Sequence, residues 1–222
     1  MAAAVDVNPV RLDLHRVGVS AELRIRNEDT TPVSMDVVAM LWSQNDLGEN
    51  QLAETDQILA VPPIFTIEPG SQQIVRVAFL GNPDPDAEQT FRLLITELAP
   101  PAGPQGTAVT MRLQVSLPVF VMAPGLDAQP NIELVSADKT EQGTYVSLHN
   151  AGNAHVKLTS VEVTGAAGTM PEKDKTPVGQ ARYLLPGSTV EFLVPGDPGA
   201  LQRVNIISDR GRGWEHAVAK PE

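Results

Sequence analysis

Imidazoles can ligate metals and move protons near neutral pH, so the four histidines are a natural first test for chemistry. His15, His149, His155 and His216 are scattered, and His149 with His155 flanks an Asn-Ala-Gly-Asn turn instead of falling at a metal-ligand spacing. They read as structural or surface groups. The run Asn82-Pro83-Asp84-Pro85-Asp86-Ala87-Glu88 imitates a calcium loop, but its sixth position is Ala87 where the sharp turn needs glycine, and its twelfth is Leu93 where a bidentate glutamate belongs. A solvated loop is expected there. The chain holds no G-x-S-x-G, no phosphate-binding glycine loop and no S-x-x-K placed with partners. Zero cysteines remove thiolate catalysis, disulfides and cysteine-held metal sites. An enzyme has no residues to stand on, and no metal, cofactor or small-molecule substrate is indicated.

Two arginines stand out. Arg11 follows Asn8-Pro9-Val10 in the first strand, and Arg92 lies between Phe91 and Leu93 in an otherwise apolar run. A half-buried guanidinium demands an anion. The alternatives are a surface position, an internal pair (Arg92 with Glu88 or Glu97) or an anion supplied by a partner. Arg76, inside Ile74-Val75-Arg76-Val77, is better read as a surface or internally paired residue.

A stripe of apolar side chains completes the candidates. Val109, Met111, Leu113 and Val115 alternate with Thr110, Arg112, Gln114 and Ser116 at the end of the first half of the chain. Period two is a strand, and a long terminal strand is normally a sheet edge. Its apolar side chains are then either ordinary core or an added strand offered to another chain, with backbone hydrogen bonds giving affinity.

The elements that must carry these residues are strands throughout. Val19, Ala21, Leu23 and Ile25 interleave with Ser20, Glu22, Arg24 and Arg26, and Asn27-Glu28-Asp29 stops the run. Further strands are expected over 33–42, 58–67, 74–79, 91–98 and 109–121, each bounded by Gly, Pro, Asn or Asp. Residues 123–130, with two prolines and no periodicity, form a linker between domains 1–122 and 131–222. The pattern restarts over 132–135, 145–149, 156–163, 182–185, 190–194, 204–207 and 214–219. The fold class is all-β, two sandwiches in series.

The halves also echo each other. Leu23-x-Ile25-x-Asn27 is followed downstream by Pro69-Gly70-Ser71, and Val146-x-Leu148-x-Asn150 by Pro186-Gly187-Ser188. Two copies of one module fit. A net charge of −11 over 222 residues makes a surface that tracks phosphate backbones improbable, which demotes nucleic acid. The start, Met1-Ala2-Ala3-Ala4-Val5-Asp6, is no complete signal peptide but would suit a processed export product carrying an added Met.

Val61-Pro62-Pro63, then Ile67-Glu68-Pro69-Gly70, Val75-Arg76-Val77, Phe91-Arg92-Leu93-Leu94 through Glu97, and Leu117-Pro118-Val119-Phe120-Val121 occur in an order and spacing that resemble the periplasmic pilus chaperones of the chaperone/usher pathway. The resemblance covers the first domain nearly throughout. In the second only the Asn150 turn, Pro186-Gly187 and Ser208-Asp209 before the glycines carry it. It implies two immunoglobulin-like sandwiches at an angle that bind pilus subunits in the cleft and along the last strand of the first domain. Val109, Met111, Leu113 and Val115 would be the donor strand, lent until an outer-membrane usher passes the subunit on. The family anchors the subunit's terminal carboxylate on a first-strand Arg, here Arg11, and on a final-strand Lys whose position holds Ser116. The Ser-Leu-Pro-Val-Phe ending looks like the divergent branch of these chaperones, with Arg92 of the preceding strand as the substitute. Glu88 and Asp209 match the family's interdomain ionic network, whereas its Arg after the final strand corresponds to Phe120. Pro62 or Pro63 is the expected cis-proline, and self-association of the free form is a further expectation. The alternative from another class is a two-domain immunoglobulin-like structural or adhesive protein of the cell surface.

Overall fold

The computed structural model describes residues 4–15, 20–45, 47–99, 112–171, 182–211 and 213–218, and every regular element among them is a β-strand. The first unit contains Val5–Asn8 (β1), Leu12–Leu14 (β2), Ser20–Asn27 (β3), Val33–Gln44 (β4), Asn50–Glu54 (β5), Ile58–Val61 (β6), Ile64–Ile67 (β7), Gln72–Phe79 (β8), Gln89–Glu97 (β9) and Gln114–Val121 (β10). One sheet runs β1-β3-β8-β6 and the other β2-β10-β9-β4-β5, with β7 on β4. Alternation does what it promises: Leu23, Ile25, Val75, Val77, Phe91, Leu93 and Ile95 are fully buried while their neighbours face out.

The expected 58–67 strand is two strands on different sheets. Pro62-Pro63 separates them, and since proline has no N–H to give the ladder, the chain leaves β6 and re-enters the other sheet as β7. The Val61–Pro62 peptide bond is cis, as is Asn8–Pro9. That second bend divides the first strand into β1 on one sheet and β2 on the other.

The second unit contains Ile132–Thr140 (β11), Gly143–Asn150 (β12), Val156–Gly165 (β13), Gly168–Pro171 (β14), Arg182–Leu184 (β15), Thr189–Val194 (β16), Leu201–Ser208 (β17) and Gly213–Ala217 (β18). Its sheets are β11-β12-β16 and β14-β13-β17-β18, with β15 on β13, around a core of Val146, Leu148, Val163, Leu184, Val204 and Ile206. Contacts divide the chain at Leu126/Asp127, with Gln44–Gln51 grouped with the second unit.

The sequence echo has a physical basis. Asn27, fully buried at the end of β3, donates from Nδ2 to the carbonyls of Thr31 (2.8 Å) and Ile67 (2.9 Å), and its Oδ1 accepts the Asp29 amide at 2.8 Å. Asn150, equally buried at the end of β12, donates to Ala154 (2.8 Å) and Leu184 (3.2 Å) and accepts the Gly152 amide at 3.0 Å. Each asparagine also bonds through its backbone to its own Pro-Gly-Ser turn. Gly70 (φ 68°) and Gly187 (φ 72°) supply the left-handed backbone those turns need.

Candidate functional site

The open edge of β10 is the starting point. β10 pairs antiparallel with β9 along its whole length, Gln114 opposite Thr96 through Val121 opposite Gln89. On its other side the parallel strand β2 covers only Val119–Val121. Among the described residues, the 114–118 stretch therefore has no sheet partner on that side, which is a template for another strand.

Register then decides which side chains meet at this edge. β2 sets Leu12 beside Val119 and Asp13 beside Phe120, and extending that register by one residue beyond the strand would set Arg11 beside Pro118. Pro118 lies opposite Arg92, which lies opposite Met40 of β4. Leu12, Val119 and Phe91 face the core; Arg11, Pro118, Arg92 and Met40 thus share a row on the opposite, outer face. Arg11 and Arg92 flank β10 two strand spacings apart, about 10 Å between Cα atoms. Long side chains can close that distance onto one anion.

Both guanidiniums are held by neighbours in adjacent rows of the same face. Arg11 donates from Nε and Nη2 to the same oxygen, Oδ2 of Asp13, each at 3.0 Å, with the two side chains 32% and 31% exposed. The Arg92 guanidinium lies 3.7 Å above the centre of the Trp42 ring and reaches Ser116 at 3.4 Å (carbonyl) and 3.5 Å (hydroxyl). Trp42 packs on Phe120 with centroids 6.1 Å apart, and both are buried. Thr90, between them in the row, donates its hydroxyl to the Trp42 carbonyl at 2.6 Å. Arg92 thus rests on a buried aromatic pair, and Arg11 on a carboxylate of its own strand. Trp42 and Asp13 were not singled out in the sequence; Asp13 had a signal, since residues two apart on a strand share a face.

The donor-strand candidates fall in different environments. Val115 packs against the core of its own unit, which is the ordinary-core alternative for that residue. Its parity with Leu117, Val119 and Val121 turns it inward. Leu113 lies just before β10, half-buried, its amide donating to Glu97 Oε2 (3.0 Å) and its carbonyl accepting the Glu97 amide (2.9 Å). That ties the approach to the edge onto β9. Val109 and Met111 lie outside the described residues.

Other candidates are placed separately. Arg76 is exposed and within 3.8 Å of Glu22. Glu88 is buried just before β9, in the first unit, while Asp209 follows β17 in the second, its amide donating to the Lys157 carbonyl at 2.9 Å. Pro62 carries the cis bond noted above; no cis bond precedes Pro63. His155 is buried against Tyr183, and His149 shares a hydrogen bond with Thr189 at 3.1 Å. In the acidic loop, Asp84 Oδ1 accepts the amides of Asp86 and Ala87, so that carboxylate serves its own turn. Among the described residues no group of three His, Asp or Glu could hold a metal ion.

Comparison with known proteins identifies the family and the fold. The family signature described as "Pili and flagellar-assembly chaperone, PapD N-terminal domain" matches residues 4–127. The chain is 26% identical over 203 residues to chaperone protein FimB/FhaD of Bordetella pertussis, covering 85% of this chain and 77% of that one. It is 25% identical over 134 residues to chaperone protein PapD of Escherichia coli, covering 58% of this chain and 53% of the relative. Among solved structures, a chain of the CsuC–CsuE chaperone–tip adhesion subunit pre-assembly complex from archaic Csu pili of Acinetobacter baumannii superposes with a TM-score of 0.72 at 18% identity, covering 99% of this chain and 100% of that one. The Salmonella enterica SafA pilin–SafB chaperone complex gives 0.67 at 18% identity, covering 98% of both. These structures share the two-domain immunoglobulin-like fold.

Proposed function

Because the chain belongs to the pili and flagellar-assembly chaperone family, we propose that it works in the periplasm, captures pilus subunits on the open edge of β10 and delivers them to an outer-membrane usher. It is a pilus chaperone and not an enzyme. A subunit lacking its own final strand exposes an apolar groove, and an added strand covers it with backbone hydrogen bonds and alternate side chains. Val109, Met111 and Leu113 are the side chains proposed to enter that groove, with Val115 remaining on the chaperone's own core.

The single observation that carries the reading is the row Arg11–Pro118–Arg92, which sets a guanidinium on each side of the strand that would be lent. A terminal carboxylate lying across Pro118 would receive charge-assisted, potentially bidentate hydrogen bonds from both. Arg92 then takes the part that a lysine at position 116 plays elsewhere in the family. No nucleotide is required, since the release step exchanges one strand for a better-fitting one.

The test is co-expression with a pilus subunit encoded beside the chaperone, followed by osmotic-shock release and size exclusion. A one-to-one complex in the periplasmic fraction, lost with Arg11→Ala, supports the reading. A folded protein that captures no neighbouring subunit refutes it.

A further inference from the structure

Arg11 does not present a bare cation. The side chain two residues on, Asp13, shares its face of β2 and takes both Nε–H and an Nη2–H of the guanidinium on one oxygen. Those two bonds use one edge of the planar fork, leaving the end formed by Nη1 and the other Nη2 hydrogen for a second carboxylate. The side groups along this row and the next are Met40 and Trp42 from β4, Thr90 and Arg92 from β9, Phe120 from β10 and Asp13 itself. Of these side groups Asp13 is the acidic one.

We propose that Asp13 is an affinity-setting residue: a resident counter-ion of Arg11 that weakens the grip on a subunit's terminal carboxylate and so keeps capture reversible. This rests on the anchor reading given above. Two carboxylates on different edges of one guanidinium lie on the order of 6 Å apart, inside the Debye length of about 8 Å at physiological salt, so their repulsion is only partly screened. Without Asp13, Arg11 would lose the carboxylate that it pairs with in the free protein. The hold would tighten, and the strand exchange that ends capture would have more to break. Asp13 also keeps Arg11 extended along the strand, so its charge and its orienting role must be separated by experiment.

Asp13→Asn does this, because the amide oxygen still accepts from Nε–H and Nη2–H while the charge is gone. Binding of a synthetic peptide copying a subunit's last strand is measured with the full-length chaperone, once as the free acid and once as the C-terminal amide. In the variant the free acid is expected to bind about three- to tenfold tighter, with the amide unchanged and a steeper fall of free-acid affinity with salt. A merely structural Asp13 would shift both peptides together. Free-acid affinity that is unchanged or weaker in Asp13→Asn overturns the inference while leaving the anchor standing. Equal binding of acid and amide by the wild type, or binding of neither, overturns the anchor and the inference together.

Discussion

Replacing Arg11 by alanine separates binding from folding, because the side chain contributes to the two very differently. In the free chaperone its side-chain partner is Asp13, with both groups about a third exposed (32% and 31%). Pairs of that kind are worth roughly 0–1 kcal/mol after screening and side-chain entropy. The aliphatic stem covers little core, because the core-facing residue of this segment is Leu12. Unfolding should shift by less than about 1 kcal/mol, or roughly 4–8 °C at most in melting temperature for a unit of this size. Capture should suffer far more. Two charge-assisted hydrogen bonds to a carboxylate contribute about 1.5–3 kcal/mol each, and even the lower bound for both gives about 3 kcal/mol, a loss of about 100-fold in affinity. The assay is paired: a calorimetric melt of the free protein, and titration of a subunit or its C-terminal peptide. Binding within about threefold of wild type, or a stability loss as large as the binding loss, would refute the assignment of Arg11 to the anchor.

Leu113→Glu should leave the melting temperature of the free chaperone within about 0.5 kcal/mol of wild type, since Leu113 precedes the strand and is only half-buried, yet weaken capture by about 2 kcal/mol or more by forcing a charge into an apolar groove; a much earlier melt would assign Leu113 to the core. Asn27→Ala removes three side-chain hydrogen bonds at a fully buried site and should cost about 3 kcal/mol, lowering the melting temperature of the first unit by roughly 10–20 °C. Asn150→Ala should do the same to the second unit, and a loss below 0.5 kcal/mol (roughly) in either would contradict the pinning role. The Lys139 ammonium beside Asp197, helped by the Gly199 amide, holds that carboxyl below its ordinary 3.8. The pair's contribution is therefore present above the ordinary value and lost as pH falls through the lowered one, so Asp197→Asn should lower stability slightly at neutral pH and converge with wild type in acid, flattening the acid limb of the stability profile.

What the sequence disclosed followed from how long and how regular each signal was. β3, β8 and β9 alternate for eight or nine residues with one face buried, so period two exposed them directly. β5 has no buried residue over Asn50–Glu54, and a strand wet on both faces leaves no hydrophobic period to read. β1 and β2 are four and three residues on either side of a proline bend, too short for alternation to register. Of the site, Arg11 and Arg92 were visible as cations among apolar residues. Their shared row was not, because β2 runs parallel to β10 across a sheet whose register no local pattern encodes. Trp42 stayed hidden for the same reason: it is remote from Arg92 in sequence and adjacent only through the β4–β9 ladder.

The position of the two-arginine row at Pro118 makes it a ruler as well as an anchor. Leu113 precedes Pro118 by five residues, roughly 17 Å along a strand. A captured chain whose terminal carboxylate is fixed at the row has every preceding residue dealt alternately toward the groove and away from it. Shifting that chain by one residue turns its whole apolar set to the wrong face. A subunit lengthened by one terminal residue should consequently lose far more than one contact, whereas two extra residues should restore the parity and recover much of the binding. The end of the subunit chain would thus be read by odd or even count, a digital measurement made by a single pair of charges.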